Sequence, residues 1–389
     1  MQNQVKRSSQ HVYDYVIIGS GLSGLAIAAA LNKETSNILL VDSADTFGGH
    51  NRSLMTPFGP VNNGIRTMPS TELSHKAIAF LEMLMMTNVQ PQEIDCPPVT
   101  FDSGALKPFV GFGENPPAFY DELSYFFSPK QLKFHIEPHE WTQLLFNHYS
   151  GDFSPRSYVT KFHGADGVIK STTINGQKQI NALNFIYCGP VKSLHLLLPE
   201  DGLSYRARQK MSKSEYWTAV CLDILHQGKV TDSEAVHVLN GTTQDEIGPC
   251  AGKFLPSVEV NDQALQYSQW ISFVNDEDAE DTENVGHLLK KMKRQIKRAY
   301  PNALDNIKSE RILVVPSFGG NGDIKLSANQ SLPAYPNLWV GSSQMHTQKN
   351  LLGALLQAEM ITSALGCNPL GVQVDTGQMA SESESETQA

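Results

Sequence analysis

Apolar positions along the chain open with a short continuous run, Tyr15 to Ile18, then a glycine turn, an Ala- and Leu-rich segment from Leu22 to Asn32, and a second run from Ile38 to Val41. Short apolar runs flanking a helical segment predict a βαβ unit whose strands are buried on both faces. From Pro69 to Tyr149 the pattern turns aromatic, Met-rich and helical, as in the amphipathic run ELSHKAIAFLEMLMM, with a loop crowded by Pro97, Pro98, Pro108, Pro116 and Pro117. This stretch reads as an inserted helical cap. Residues 157 to 187 fall into short runs broken at Gly164, Gly167 and Gly176, which predicts a small meander returning to a buried strand.

A second excursion carries the strand-like WTAVCLDIL and YSQWISFVN and an acid-capped helix over Asn284 to Tyr300. Its Lys290, Lys291, Lys293, Arg294, Lys297 and Arg298 read as a solvated face. The last organised piece is a short strand, Asn337 to Val340, followed by a loop and a helix from Asn350 to Leu365 that ends at Gly366 as an αL cap. The polar start and the ending SESESETQA cannot bury enough surface to order themselves. The expected organisation is a dinucleotide-binding domain assembled from residues 12–68, 151–200 and 326–372, a substrate part from 69–150 and 201–325, and disordered tails at 1–11 and 373–389.

The 389 residues, 40% of them hydrophobic, suffice for two or three packed cores. A net charge of -10 argues against a surface built to neutralise phosphates, so nucleic acid is not an expected partner. The five cysteines lie far apart without a C-x-x-C pair, so neither zinc nor any other metal site is expected. No segment has the apolar length of a signal region or of a membrane span, and the expected location is the cytoplasm.

Chemistry concentrates at the first turn. Gly19, Gly21 and Gly24 form G-x-G-x-x-G between strand and helix. That pattern needs the first glycine for a tight turn, the second for approach to a diphosphate, and the third for close packing of helix on strand. The diphosphate would rest on the helix N-terminus, against Leu22 and Ser23. Seventeen residues after Gly24, Asp42 closes the second strand, where a carboxylate accepts hydrogen bonds from ribose hydroxyls and disfavours a 2′-phosphate.

The run VIIGSGLSGLAIAAALNK, continued by ILLVDSADTFGGHNRS, resembles the N-terminal fingerprint of the flavin amine oxidase superfamily, which includes protoporphyrinogen oxidase-like, phytoene desaturase-like and UDP-galactopyranose mutase-like proteins. The resemblance implies FAD as cofactor, with Ser43, the pair Gly48-Gly49 and Arg52 beside it. NLWVGSSQMHTQKNLLGALLQAEMITSALG resembles the superfamily's closing motif, in which Gly341, Ser342, Leu351 and Leu352 would approach the flavin, with Gly353 and Ala354 at matching positions. Ser342 stands where the superfamily usually has an acid. The fold implied is a discontinuous, doubly wound, Rossmann-like α/β domain with a mixed-sheet substrate domain and helical cap.

The activity implied is hydride removal from a C–N or C–C bond of a small organic substrate. A flavin mutase without net redox change and a non-catalytic binding protein on the same fold are the alternatives. Candidate groups near the ring are Lys349, His346, Arg66 and His50, all close in sequence to segments expected to line it.

Overall fold

A computed structural model describes residues 11–240, 249–322 and 324–370. The expected disordered tails, except His11, lie outside the described residues.

The opening unit forms as its pattern predicts. Strands Val12–Ile18 and Ile38–Val41 pair in parallel around the helix Leu22–Leu31. Both strands are buried on both faces: Ile17, Ile38 and Leu40 enter one core, and Val16, Ile18, Leu39 and Val41 enter the other. This is why they read as continuous apolar runs rather than alternating ones. Around this pair the parallel part of the sheet is completed from distant chain segments. Lys178–Tyr187 flanks the first strand, Tyr335–Val340 lies beyond it, and Asp152–Ser154 covers the opposite edge. The predicted meander is the antiparallel set Val159–Ala165, Val168–Ile174 and Lys178–Tyr187.

Residues 69–150 form helices, as expected, and their packing gives the partners of each. Helices Glu72–Met85 and Pro138–Asn147 pack on the first domain. Ala77, Ile78, Leu81, Leu84, Trp141 and Leu145 enter the same core as the Leu22–Leu31 helix and the C-terminal helix Asn350–Ala364. Leu22–Leu31 is buried all round, so it needs apolar partners on its sides as well as the sheet beneath it. The amphipathic stripe of Glu72–Met85 supplies one. The proline-rich part instead contributes the hairpin Val99–Asp102 and Ala105–Pro108 to the edge of a second sheet.

That second sheet runs in the order Ile307–Gly320, Tyr216–Gln227, Gln263–Asn275, Cys250–Phe254, His237–Leu239, Val99–Asp102, Ala105–Pro108. It is mixed, because His237–Leu239 meets Val99–Asp102 in parallel while its other neighbouring strands are antiparallel. One face is closed by Leu288, Met292 and Ile296 of the helix Thr282–Ala299 against Val220, Leu222, Ile224 and Trp270. The other carries Ala219, Cys221, Ile271 and Phe273 toward Ile65, Phe119 and Phe126. No helix among the described residues is long and apolar enough to cross a membrane.

Candidate cofactor-binding site

The parallel strands of the first sheet end together. Their ladder continues one residue further, with the Gly19 N–H donating to the Val41 carbonyl, the Cys188 N–H to the Ile18 carbonyl and the Gly341 N–H to the Tyr187 carbonyl, each at 2.8 Å. Beyond this carboxyl edge, where ligands of open α/β sheets bind, lies a cavity of about 570 Å³.

At one end of the cavity is the glycine turn. The Leu22–Leu31 helix begins at Gly21 with no side chain capping it, so its first N–H groups are available to an anion. A methyl group built on Gly21 would meet nothing within 4 Å, whereas one on Gly24 would lie 1.9 Å from the Gly19 carbonyl oxygen. Open space at the one glycine and backbone contact at the other is the arrangement a diphosphate cradle requires.

Asp42 stands beside the turn and is already ordered. Its carboxylate accepts from the Ser20 N–H at 2.7 Å, the Ser20 hydroxyl at 2.5 Å and the Ala44 N–H at 2.8 Å. A carboxylate offers about four acceptor positions, which leaves capacity for a ribose hydroxyl.

At the other end the wall comes from the turn after Gly49, the end of strand Ile307–Gly320 and the start of the C-terminal helix. His50 stacks on Phe318 with ring centroids 5.1 Å apart. Although His50 is exposed to the cavity, crowding by the surrounding protein, and then the charges of Arg66 and Arg52, hold its imidazole below its ordinary range, which favours the neutral form. Lys349 is the N-cap residue of the C-terminal helix. Its ammonium donates to the Gly320 carbonyl at 3.1 Å and the Asn321 side-chain oxygen at 2.6 Å, and faces Glu122 at 3.7 Å.

Of the residues singled out in the sequence, Gly19, Gly21, Leu22, Ser23, Gly24, Asp42, Ser43, Gly49, His50, Ser342 and Lys349 line this one cavity. Gly48, Arg52, Gly341, Leu351 and Leu352 do not. Gly48 donates its N–H to the Ser20 carbonyl at 2.8 Å from a left-handed conformation, and so joins the two glycine turns. Gly341 accepts from the Ser23 hydroxyl at 2.6 Å, which straps the C-terminal strand to the first helix. Leu351 and Leu352 are core residues of the helix. His346 lies off the cavity, and its Nδ1 accepts from the Gln348 N–H at 3.0 Å.

Arg66 also stands behind the wall rather than in it. Its guanidinium donates to the Asn51 side chain at 2.8 Å and to the Ile65 carbonyl at 2.7 Å, and also to the His50 carbonyl. Desolvation brings it down to about 10. It fixes the backbone of the turn that presents His50 and Asn51.

Several lining residues were not singled out from the sequence: Glu122, Tyr187, Pro190 and the segment from Pro316 to Gly320. The glycine pair Gly319-Gly320 closing a strand was the available signal. A methyl group on Gly319 would lie 2.4 Å from the Glu122 carboxyl carbon, so glycine there admits that side chain.

The two-sheet plan, with a cavity at the carboxyl edge of a discontinuous parallel sheet, defines a dinucleotide-binding fold. A family model for an NAD(P)-binding Rossmann-like domain matches residues 17–84. Among curated proteins none matches in sequence.

Solved structures match about nine-tenths of the chain. It is similar to a protein described as a protoporphyrinogen oxidase from Exiguobacterium sp. (TM-score 0.63, 10% identity, 92% of this chain and 99% of that one). Cyclohexylamine oxidase from Brevibacterium oxydans gives TM-score 0.63 at 11% identity over 92% and 99%. A reduced UDP-galactopyranose mutase gives 0.63 at 12% over 91% and 96%. The chain therefore shares its fold with these three proteins.

Proposed function

We propose that this protein is an FAD-dependent oxidoreductase that removes a hydride from a C–N or C–C bond of a small organic substrate. The observation that carries this reading is one cavity running from the uncapped helix at Gly21 to the wall formed by His50, Phe318 and Lys349. A mononucleotide would leave one of these ends unused.

The chain's own groups divide the work. The N–H groups after Gly21 hold the diphosphate, and Asp42 accepts from the ribose. When bound, FAD supplies a two-electron acceptor in its ring. Neutral His50 shapes the wall without placing a charge against the ring. Lys349 and the N-terminus of the C-terminal helix bring positive potential to the same end, which favours negative charge on a ligand there. Arg66 keeps the His50–Asn51 turn rigid. No arginine lines the cavity among the described residues, which sets it apart from a site built to clamp a sugar nucleotide.

Purified protein is expected to be yellow, with bands near ~370 and ~450 nm for oxidised flavin, and to bleach without oxygen when the right member of a panel of amines, amino acids and saturated C–C substrates is added. A folded, colourless protein that takes up NAD and ignores FAD would overturn the reading.

A further inference from the structure

Among the described residues Glu122 is the one buried acid at the ring end of the cavity, and it comes from a short helix, Tyr120–Ser124, far from the motifs that form the rest of the site. Its side chain is 6% exposed and that of Lys349 is 12% exposed. The Glu122 Oε1 accepts from the Gly320 N–H at 2.7 Å and faces the Lys349 ammonium at 3.7 Å, while the same ammonium donates to the Gly320 carbonyl. Three distant segments therefore meet in one cycle: acid, glycine peptide, lysine. Glu122 and Gly320 also border a second cavity of about 230 Å³, so the cycle stands at the junction between the two spaces.

A largely buried ammonium with only neutral acceptors loses much of its hydration without a compensating charge, and it escapes that cost by releasing its proton. We propose that Glu122 is a positioning residue for Lys349, holding its ammonium charged and in place at the ring end of the cavity. The other charged groups facing the cycle do not replace it. Asp121 and Glu215 line the smaller cavity, and His346 is held below its ordinary range by burial and then by the Lys349 charge. Burial in turn raises the Glu122 carboxyl, and the Lys349 charge and the Gly320 N–H oppose that rise. The inference rests on the proposed cofactor reading only in calling this end the ring end.

The test is competitive acylation of the purified full-length protein with acetic anhydride between about pH 7 and 11, across the lysine range. The Lys349 peptide is quantified by mass spectrometry against exposed Lys170. In Glu122→Gln the pH of half-maximal Lys349 reactivity should fall by about one unit or more, which is about tenfold in free amine at a fixed pH. Glu122→Asp should recover part of the shift. A change in accessibility alone would alter the plateau and leave the midpoint in place, and an unmoved midpoint overturns the proposal.

The parent protein gives a second measurement that does not depend on the variant folding. Raising salt from about 0.05 to 1 M should move the Lys349 midpoint less than that of Lys170, because buried pairs are screened less. An equal movement also overturns the proposal. Flavin absorbance recorded on the same samples separates the two readings: a colourless parent defeats the cofactor assignment, while the Lys349 curves still decide this one.

Discussion

A methyl group at Gly24 would lie 1.9 Å from a backbone oxygen, whereas the space beside Gly21 is empty. The two glycines should therefore fail differently. Gly21→Val is expected to fold with a melting temperature near that of the parent yet purify without flavin, because its branched side chain takes the space meant for the diphosphate. Gly24→Ala should lose about 1 to 3 kcal/mol of stability, the scale of overpacking. Thermal melts together with flavin content distinguish the two, and a yellow Gly21→Val protein would move the diphosphate elsewhere. Asp42→Ala should weaken FAD by about 1 to 3 kcal/mol, the scale of a lost charge-assisted hydrogen bond. Because Asp42 also holds Ser20 and Ala44, a looser glycine turn should appear as faster amide exchange there. An unchanged dissociation constant would leave Asp42 only that local role.

At the scale of elements, the loop from Ser342 to Lys349 joins a strand of the parallel sheet to the C-terminal helix, and only part of it meets the cavity. Replacing Lys349 by Met should slow anaerobic flavin reduction by about a hundredfold or more if it moves or holds a proton, the scale of a positioned acid or base. His346→Gln should change that rate much less, since His346 lies off the cavity. Stopped-flow reduction with a substrate that bleaches the parent reads both, and equal rates for the Lys349 variant would remove it from the chemistry.

The same loop shows what the sequence makes legible. The first βαβ unit could be read because strand, glycines, helix and acid all act locally within thirty-odd residues. Gly341 could be read as important, yet its contact with Ser23 spans 318 residues, and no local pattern encodes that distance. Glu122 carries no local signal at all: it sits in a five-residue helix among prolines and acquires its role from Gly319, Gly320 and Lys349. The amphipathic helix Glu72–Met85 was legible as a helix but not in its placement, since an apolar stripe does not name the surface it will cover. The basic helix Thr282–Ala299 does present charge outward, with Lys293 on Glu310 and Lys297 near Asp305.

Across the whole molecule, the second sheet carries buried groups that titrate in opposite directions. Burial holds His237 down to about 4 and lowers His226 as well. Each has a folded value below the unfolded one, so the unfolded chain takes up protons first and stability falls as pH drops from about 6.5 toward 4. Asp223 is raised to about 6 because burial outweighs Arg311, and its contribution has the reverse sign: it is present below about pH 4 and lost as pH rises through 6. The lowered His139 and His346 add to the first set and the raised Glu122 to the second, so acidification leaves a net loss, which melting temperatures measured from pH 7 to 4 should show. His237→Gln, away from the cavity, should flatten part of that fall, and a melting temperature that rises on acidification would contradict the assignment.

The parallel sheet also draws its strands from widely separated parts of the chain, with Tyr335–Val340 laid beside Lys178–Tyr187 across a separation of about 150 residues. During synthesis the glycine turn leaves the ribosome more than three hundred residues before the Gly341 strap and the lysine wall. A growing chain can offer the diphosphate its cradle long before it can enclose the ring. On the FAD reading, the cofactor therefore gains its full enclosure only once the later strand and the C-terminal helix have docked.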